Sequence, residues 1–356
     1  MNGRPNRVST DREHVIATAT DPVVREFLRM ADDSIVAVLP YALSVAAHLG
    51  VADEFSDTER KVEELAGALD LSPGALERLL RTLASCGFFT DHGEGLFSLT
   101  RLGQLLQTDS PVSMRATLTN VDSYRAWLGA VDTIATGRPA FDSQFGAGFF
   151  THKDGDGQVG AAFDERMRER AGRLYAGLTT LPAWNDTRCL LDIGGGKGAV
   201  LASILTANPQ VSGVLFDRRS VVERAEVSGE LAPLRERCRT ESGDFFEEIP
   251  AGADAHLMCS VLHDWEDDDA VTILRRSREA LSADGRLLIC EMLLPESGEA
   301  HPAWWSDLGM MVVLGGRERT LDQYRSLLRR AGMHLSDVTR LPDSFFSVLE
   351  ARRDDC

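Results

Sequence analysis

The chain has 356 residues and carries 38 basic against 55 acidic side chains, a formal net charge of −17. A charge of that sign and size argues against a nucleic-acid or anionic-membrane partner, because the sequence contains no basic patch to offset it. The length predicts about two domains. No apolar run reaches the roughly eighteen residues of a membrane span, and residues 1–20 lack a signal-peptide core, so a cytoplasmic protein is expected.

The N-terminal region is predicted to be mostly helical. Residues 1–12 are polar and aperiodic, which indicates a disordered tail. Apolar residues recur at helical spacing over 21–50 and are interrupted at Pro40, which predicts two helices that meet at the proline. Further helices are predicted to begin at Val62 and Pro73.

A β-hairpin is predicted to follow these helices. Two short strand-like runs lie within 88–99 on either side of a glycine-containing turn. Helix, helix and hairpin in this order are typical of a winged-helix domain, here 13–107. A DNA-binding regulator is one alternative, but the candidate recognition helix offers only Arg78 and Arg81 beside a glutamate. A winged-helix-like domain used for packing and dimerisation is therefore favoured.

The segment 108–185 is predicted to be a helical connector that also forms a wall of a substrate pocket. It has helical periodicity and many large apolar residues, Trp127 among them. Phe163 and Met167 are four residues apart and therefore share one helix face. These two are the preferred pocket residues of this segment, although aromatic residues at this spacing are more often core.

A glycine-rich turn organises the remainder of the chain. The apolar run that ends at Ile193 breaks into glycines at Gly194 and Gly196 and continues as a helix-forming segment, which predicts strand, turn and helix. A second buried run ends at Asp217, the usual position of a carboxylate that binds a ribose diol. The glycine pattern would also suit a dinucleotide. Asp192 favours S-adenosylmethionine instead, because its negative charge suits a sulfonium and an amino group better than a pyrophosphate.

Strands and helices alternate from residue 187 onward, which predicts a parallel, doubly wound α/β sheet over 186–356. The last strand follows a short turn at Pro342 and is expected to close the sheet in the antiparallel direction. A dinucleotide enzyme would need a second βαβαβ half that this chain is too short to supply, so the topology favours a methyltransferase. The predicted strands and helices lie near 188–193, 199–207, 213–217, 219–228, 238–242, 255–261, 267–282, 286–293, 321–331, 335–340 and 345–351.

Residues at the carboxyl ends of parallel strands face the ligand in such sheets. Asp244 and Phe245 are expected to contact an adenine ring, one as a hydrogen-bond acceptor and the other by packing. The complete set predicted for the cofactor is Asp192, Gly194, Gly196, Asp217, Arg218, Asp244, Phe245, Ser260 and Trp265.

His263 follows an apolar strand and is the candidate general base. Histidine titrates near neutrality, which suits removal of a proton from a phenolic hydroxyl. Glu291 and Glu318 could orient the imidazole and stabilise its protonated form. Glu318 lies between two arginines, so a surface ion pair is an equal alternative at this point.

Four motifs in this order resemble those of caffeic-acid-type small-molecule O-methyltransferases, in particular their bacterial natural-product branch. The motifs are Leu191-Asp192-Ile193-Gly194-Gly195-Gly196-Lys197-Gly198, Gly243-Asp244-Phe245-Phe246, Leu262-His263-Asp264-Trp265 and Gly315-Gly316-Arg317-Glu318-Arg319-Thr320. The resemblance implies a Rossmann-like class I methyltransferase domain with an α-helical, winged-helix-like dimerisation domain. It also implies a homodimer, S-adenosylmethionine as cofactor, no metal, and methylation of an aromatic hydroxyl with His263 as base and the two glutamates as its partners.

The sequence retains the histidine and both glutamates of the family pattern and departs from that pattern at Ser260. Ser260 stands where many relatives carry a basic residue near the cofactor carboxylate, a contact that Arg170 could supply instead. Some relatives have lost the histidine, so N-methylation, or a rearrangement without methylation, is an alternative. The expected acceptor is a small aromatic specialised metabolite with a phenolic or quinone-derived hydroxyl. The residues predicted to contact it are Trp127, Phe163, Met167, Asp264, Asp307, Met310 and Met311.

Overall fold

The computed structural model describes residues 35–56 and 58–354. The chain divides between Thr119 and Asn120 into two compact units. The predicted tail at 1–12 and the predicted helix that precedes residue 35 lie outside the described residues. None of the described helices is long and apolar enough to cross a membrane.

The first unit combines helices with a small antiparallel sheet, in the strand order β1-β3-β2. The predicted hairpin is confirmed, because β2 and β3 pair antiparallel. The elements are α1 (Ile35–Leu49), β1 (Arg60–Lys61), α2 (Val62–Leu69), α3 (Pro73–Ser85), β2 (Phe89–Asp91), β3 (Leu96–Leu99) and α4 (Arg115–Leu118), with short 3₁₀ turns at Val51–Glu54 and Gly103–Leu106. Arg81 of α3 forms ion pairs with Glu77 and Asp91, which reduces the basic surface that a recognition helix would need.

The expectation that two helices meet at Pro40 is wrong. Helix α1 runs through Pro40 without interruption. Proline removes one backbone hydrogen bond from a helix interior. Packing offsets the free-energy cost of this lost hydrogen bond. Ala42 and Ala46 are buried in the core of this unit, and Leu39 and Leu43 pack against it.

The second unit is built on a seven-stranded sheet with the order β6-β5-β4-β7-β8-β10-β9. The strands are β4 (Cys189–Ile193), β5 (Ser212–Asp217), β6 (Cys238–Ser242), β7 (Ala255–Cys259), β8 (Arg286–Met292), β9 (Met333–Arg340) and β10 (Phe346–Arg353). The first five pair in parallel, and β10 lies antiparallel between β8 and β9, as predicted. Alternate strand residues such as Leu190 and Leu191 enter different apolar clusters, so both faces of the sheet are covered.

Helices cover the sheet, and they lie both before and after β4 in the chain. The helices that precede β4 are α5 (Val121–Trp127), α6 (Ala130–Thr136), α7 (Ala140–Phe145), α8 (Phe149–Gly155) and α9 (Gly157–Leu174). Those that follow are α10 (Ala199–Ala207), α11 (Arg219–Ser228), α12 (Asp267–Ala280), α13 (Pro302–Val313) and α14 (Leu321–Arg330). Phe141 and Phe149 form a separate apolar cluster with Val312 and Val313, so α7 and α8 pack on α13. Residues of α9 and the carboxyl ends of the parallel strands line the same cleft.

Candidate active site

A cleft lies at the carboxyl ends of β4, β5, β6 and β7 in the second unit. The structure brings together in its lining every residue predicted to bind the cofactor, namely Asp192, Gly194, Gly196, Asp217, Arg218, Asp244, Phe245, Ser260 and Trp265. These positions are far apart in the sequence and meet only because parallel strands end at one edge of the sheet.

The glycine turn requires small residues for two different reasons. Gly194 and Gly196 have φ of 69° and 59°, in the left-handed region that favours glycine. At Gly195 a Cβ would lie 2.4 Å from Asp192 Oδ2 and 2.5 Å from Leu215 Cδ1, so a side chain has no space there. The Gly196 N–H donates to Asp217 Oδ2 at 2.9 Å and ties the turn to the next strand.

Two buried carboxylates flank this turn. Burial, together with the nearby charge of Asp217, raises the pKa of Asp192 to about 7. Its Oδ2 is buried and has no hydrogen-bond partner among the described residues. Burial also raises the pKa of Asp217, although hydrogen bonds from the N–H groups of Gly196 and Arg218 oppose this. An unpaired buried acceptor beside a second acid suits a ligand that brings positive charge or donors.

Aromatic rings form one wall of the cleft. Trp265 stacks on Phe150 with ring centroids 5.5 Å apart and meets Phe245 edge-on at 5.9 Å. The guanidinium of Arg218 lies 4.9 Å from the Phe150 centroid. Such a wall suits a flat heterocycle.

Ser260 adopts φ of 51°, which is uncommon for a residue other than glycine. Its Oγ is hydrogen-bonded to the hydroxyl of Tyr175, which lies just beyond α9. Tyr175 and Arg170 line the cleft together with Ser260. Tyr175 was not predicted as a site residue, because nothing in its local sequence pattern distinguishes it from a core aromatic residue.

His263 is buried, with 5% of its surface exposed, and lies outside the cleft lining, next in the chain to the lining residue Asp264. Its Nδ1 lies 2.9 Å from Glu318 Oε1 in a hydrogen bond. The hydroxyl of Ser306 donates to the same carboxylate oxygen at 2.6 Å. On the other side of the ring, Nε2 lies 3.4 Å from Oδ1 of Asp264, which lines the cleft. Glu318 is therefore a buried partner of the histidine and not a surface ion pair.

Glu291 is placed differently from Glu318. Its Oε1 accepts the backbone N–H groups of Val261, Leu262 and His263 at 3.1, 2.9 and 3.4 Å. Its Oε2 is 3.6 Å from His263 Nδ1, beyond hydrogen-bonding distance. Glu291 therefore binds the turn that carries the histidine, and contributes charge to the imidazole without bonding to it.

The three acids control the proton on His263. Burial alone lowers the pKa of His263, but the carboxylates of Glu291, Glu318 and Asp264 outweigh burial and raise it to about 10. Burial raises the pKa of Glu291 to about 7. Burial acts in the same direction on Glu318, yet the charge and hydrogen bond of His263 hold the pKa of Glu318 below its usual range. The imidazole is thus protonated in the ligand-free cleft at neutral pH.

His263, Glu291 and Glu318 are also the single group among the described residues whose ligand atoms could hold a metal ion, all within 4.8 Å of one another. The separation of 2.9 Å between Nδ1 and Glu318 is that of a hydrogen bond. It is shorter than the separation of about 3.3 Å that tetrahedral zinc ligands at about 2.0 Å would have. The arrangement therefore suits a shared proton.

Two family models match the chain. The model described as "O-methyltransferase domain" matches residues 127–334, and the model described as "O-methyltransferase dimerisation domain" matches residues 35–109. The chain belongs to the O-methyltransferase family. It is an S-adenosylmethionine-dependent enzyme of the bacterial natural-product branch.

Individual relatives of this O-methyltransferase agree with that assignment. The chain is 37% identical over 314 residues to the phenazine O-methyltransferase of Lysobacter antibioticus, covering 87% of this chain and 92% of the relative. The mitomycin 7-O-methyltransferase structure superposes with a TM-score of 0.85 at 32% identity, covering 94% of this chain and 100% of the other. An O-methyltransferase from neocarzinostatin biosynthesis, crystallised with S-adenosylmethionine and a hydroxy-methylnaphthoic acid, gives 0.77 at 32% identity, covering 88% and 96%.

The residues predicted to contact the acceptor of this O-methyltransferase fall into two groups. Phe163, Met167 and Asp264 line the cleft. Asp307 does not; its Oδ1 accepts the backbone N–H of Glu318 at 2.9 Å and so supports the partner of His263. The others that lie outside the cleft lining are Trp127, Met310 and Met311.

The O-methyltransferase also uses charged residues that the sequence analysis missed. Arg319 is fully buried and donates to the backbone carbonyls of Leu262 and Trp265, on either side of His263. Lys197 of the glycine turn forms an ion pair with Glu165 of α9 at 3.0 Å. Two features of the sequence could have pointed to these residues. Arg319 is the second arginine next to Glu318, and Lys197 lies inside a glycine turn in a chain that contains only three lysines.

Proposed function

We propose that this O-methyltransferase methylates an aromatic hydroxyl, phenolic or quinone-derived, of a specialised metabolite, with His263 as the general base. The observation that carries the proposal is the buried His263–Glu318 hydrogen bond of 2.9 Å. It holds Nδ1 and leaves Nε2 on the side of Asp264, a residue of the cleft lining. The relatives of the chain include phenazine and mitomycin O-methyltransferases, which supports an aromatic metabolite as the acceptor.

The residues of the cleft fit S-adenosylmethionine. When bound, it supplies an electrophilic methyl group on a sulfonium. Asp217 is proposed to bind the ribose hydroxyls, and Asp244 and Phe245 the adenine. The unpaired Oδ2 of Asp192 is suited to the positive groups of the methionine part. Arg170 is proposed to bind its carboxylate, because Ser260 cannot supply a positive charge.

His263 is proposed to accept the proton of the acceptor hydroxyl at Nε2. A base must first be neutral, so the proton that the three acids hold on the ligand-free imidazole leaves before this step. As the imidazole becomes charged again, Glu318 accepts the Nδ1 hydrogen bond and stabilises the imidazolium. Base assistance of this kind contributes about 10²- to 10⁴-fold, and alignment of the two reactants contributes the remainder.

Mass spectrometry of products from a panel of phenols and hydroxyquinones tests the proposal. Wild-type protein with S-adenosylmethionine is expected to add one methyl group at oxygen. The variant His263→Ala is expected to lose about 10²- to 10⁴-fold in rate and to keep its affinity for S-adenosylhomocysteine by calorimetry. His334→Ala is the matched control, because His334 is half-exposed on β9. A near-normal rate in His263→Ala would show that the histidine is not the base.

Two further proposals concern the alternative chemistry and the assembly. Relatives 35% identical to this chain are named an N,N-dimethyltransferase and a 10-hydroxylase. The paired histidine and glutamate favour O-methylation here, because a hydroxyl nucleophile gains more from a base than a neutral amine does. Amine acceptors in the same panel test this preference.

The dimerisation-domain match supports a homodimer, and light scattering on the purified protein measures its oligomeric state.

A further inference from the structure

Helix α9 presents an arginine beside the cleft that the proposed reaction does not use. Phe163, Arg166 and Arg170 follow one another at intervals of three and four residues and so share one helix face. Phe163 and Arg170 line the cleft on either side of Arg166 along that face. Arg166 is not itself part of the cleft lining, but it lies between these two residues on the helix face that they share.

The guanidinium of Arg166 has an unsatisfied donor. Its Nε is buried without a hydrogen-bond acceptor. Arg168, two positions further along, has its guanidinium paired with Glu165. A buried N–H group that lacks an acceptor loses hydration without compensation, which costs free energy in the ligand-free protein. An anion that binds Arg166 would recover this cost.

The charges around Arg166 also favour an added anion. Burial and the like charge of Arg170 lower the pKa of Arg166 to about 10, and the negative charge of Asp264 opposes them only in part. Asp264 also interacts with His263, since its Oδ1 is 3.4 Å from His263 Nε2. The carboxylate of Asp264 thus interacts with two arginines as well as with His263.

We infer that Arg166 binds a carboxylate substituent of the acceptor, so that the substrate is an aromatic hydroxy acid. The inference rests on the proposed function and specifies its substrate class. A planar guanidinium matches a carboxylate in a two-point hydrogen bond. The shared neighbour Asp264 places this anion on the same side as His263, where the acceptor hydroxyl is needed. Arg170 is left for the cofactor carboxylate, and the charge of Asp264 disfavours a dianion such as a phosphate ester.

Equilibrium binding to the protein loaded with S-adenosylhomocysteine tests this subsite without turnover. The probes are hydroxybenzoic and hydroxynaphthoic acids and their methyl esters, which differ only in the charge of the substituent. Wild-type protein is expected to bind at least one acid about tenfold or more tightly than its ester. Arg166→Gln is expected to weaken binding of that acid by about 10- to 100-fold and of the ester by less than about twofold, the range of one charge-assisted hydrogen-bonded pair.

Two variants and two outcomes make the test specific. Arg166→Lys keeps the charge and is expected to restore part of the affinity for the acid, whereas Arg325→Gln, at a half-exposed arginine of α14, is expected to change neither ligand. Equal losses for acid and ester in Arg166→Gln, tighter binding of the ester, or binding of no acid would overturn the inference. Methylation of neutral phenols alone would leave the proposed function intact without this subsite. Arg166-dependent binding of acids without methyl transfer would support this subsite and contradict the proposed function.

Discussion

Replacing Glu318 by glutamine removes one charge from the His263 environment and little else. Glutamine has the same length, and its amide oxygen can still accept the Nδ1 hydrogen bond that measures 2.9 Å and the Ser306 hydroxyl at 2.6 Å. The remaining difference is the negative charge, which raises the pKa of His263 in the wild-type protein. Glu318→Gln is therefore expected to lower that pKa.

The size of the effect follows from the strength of the pair. A hydrogen bond to a charged group contributes about 1.5–3 kcal/mol, against about 0.5–1.5 kcal/mol for a neutral one. The difference of about 1–1.5 kcal/mol corresponds to a fall of about one pKa unit at about 1.4 kcal/mol per unit. The imidazolium formed in the reaction loses the same stabilisation, so the maximal rate is expected to fall by about 10-fold or more.

The assay is the pH dependence of kcat/KM for one phenolic acceptor. A base acts only when it is unprotonated, so the rate rises as the pH passes the pKa of His263. The wild-type rise is expected above the usual histidine range, and the Glu318→Gln rise at lower pH with a lower plateau. Glu279→Gln, at an exposed glutamate of α12, is the matched control. A rise at the same pH in Glu318→Gln, or one displaced to higher pH, would refute the assignment of Glu318 as the partner of the base.

Three further variants test the cofactor cleft. Asp217→Ala is expected to weaken S-adenosylhomocysteine binding by about 10-fold or more, and unchanged calorimetric affinity would contradict its ribose role. Affinity for cationic S-adenosylmethionine is expected to rise as Asp192 loses its proton near pH 7, and Asp192→Asn should abolish that rise. Gly195→Ala is expected to destabilise the protein by about 1–3 kcal/mol in thermal unfolding. Gly172→Ala is the control, because a Cβ there meets nothing within 4 Å.

The sequence predicted the sheet domain well because its signals are local. The helices over 199–207 and 219–228 begin and end at the predicted residues, since glycines and strand-end acids mark their limits. The residues predicted to bind the cofactor line one cleft for a related reason, because they lie at or near the ends of recognisable strands and the parallel topology brings those ends together.

The acceptor side could not be predicted in the same way. Asp307 was expected to contact the acceptor, but α13 directs it to the backbone of Glu318, a contact that depends on how two helices pack. Met310 and Met311 share that helix and also lie outside the cleft lining. Helical periodicity identifies a buried face and does not tell whether that face meets a ligand or another helix. Pro40 illustrates the same limit, since packing overrode its tendency to end a helix.

The three backbone hydrogen bonds that Glu291 accepts affect how sequences of relatives can be interpreted. Because this carboxylate binds the N–H groups of 261–263, the turn needs it whatever side chain stands at position 263. A homologue that has abandoned base catalysis would therefore be under selection to keep a glutamate here. Glu318 bonds to the imidazole itself and has less reason to persist once the histidine is gone. In an alignment, the pair at 263 and 318 would be the informative marker of this chemistry, and a glutamate at 291 would mark only the shape of the turn.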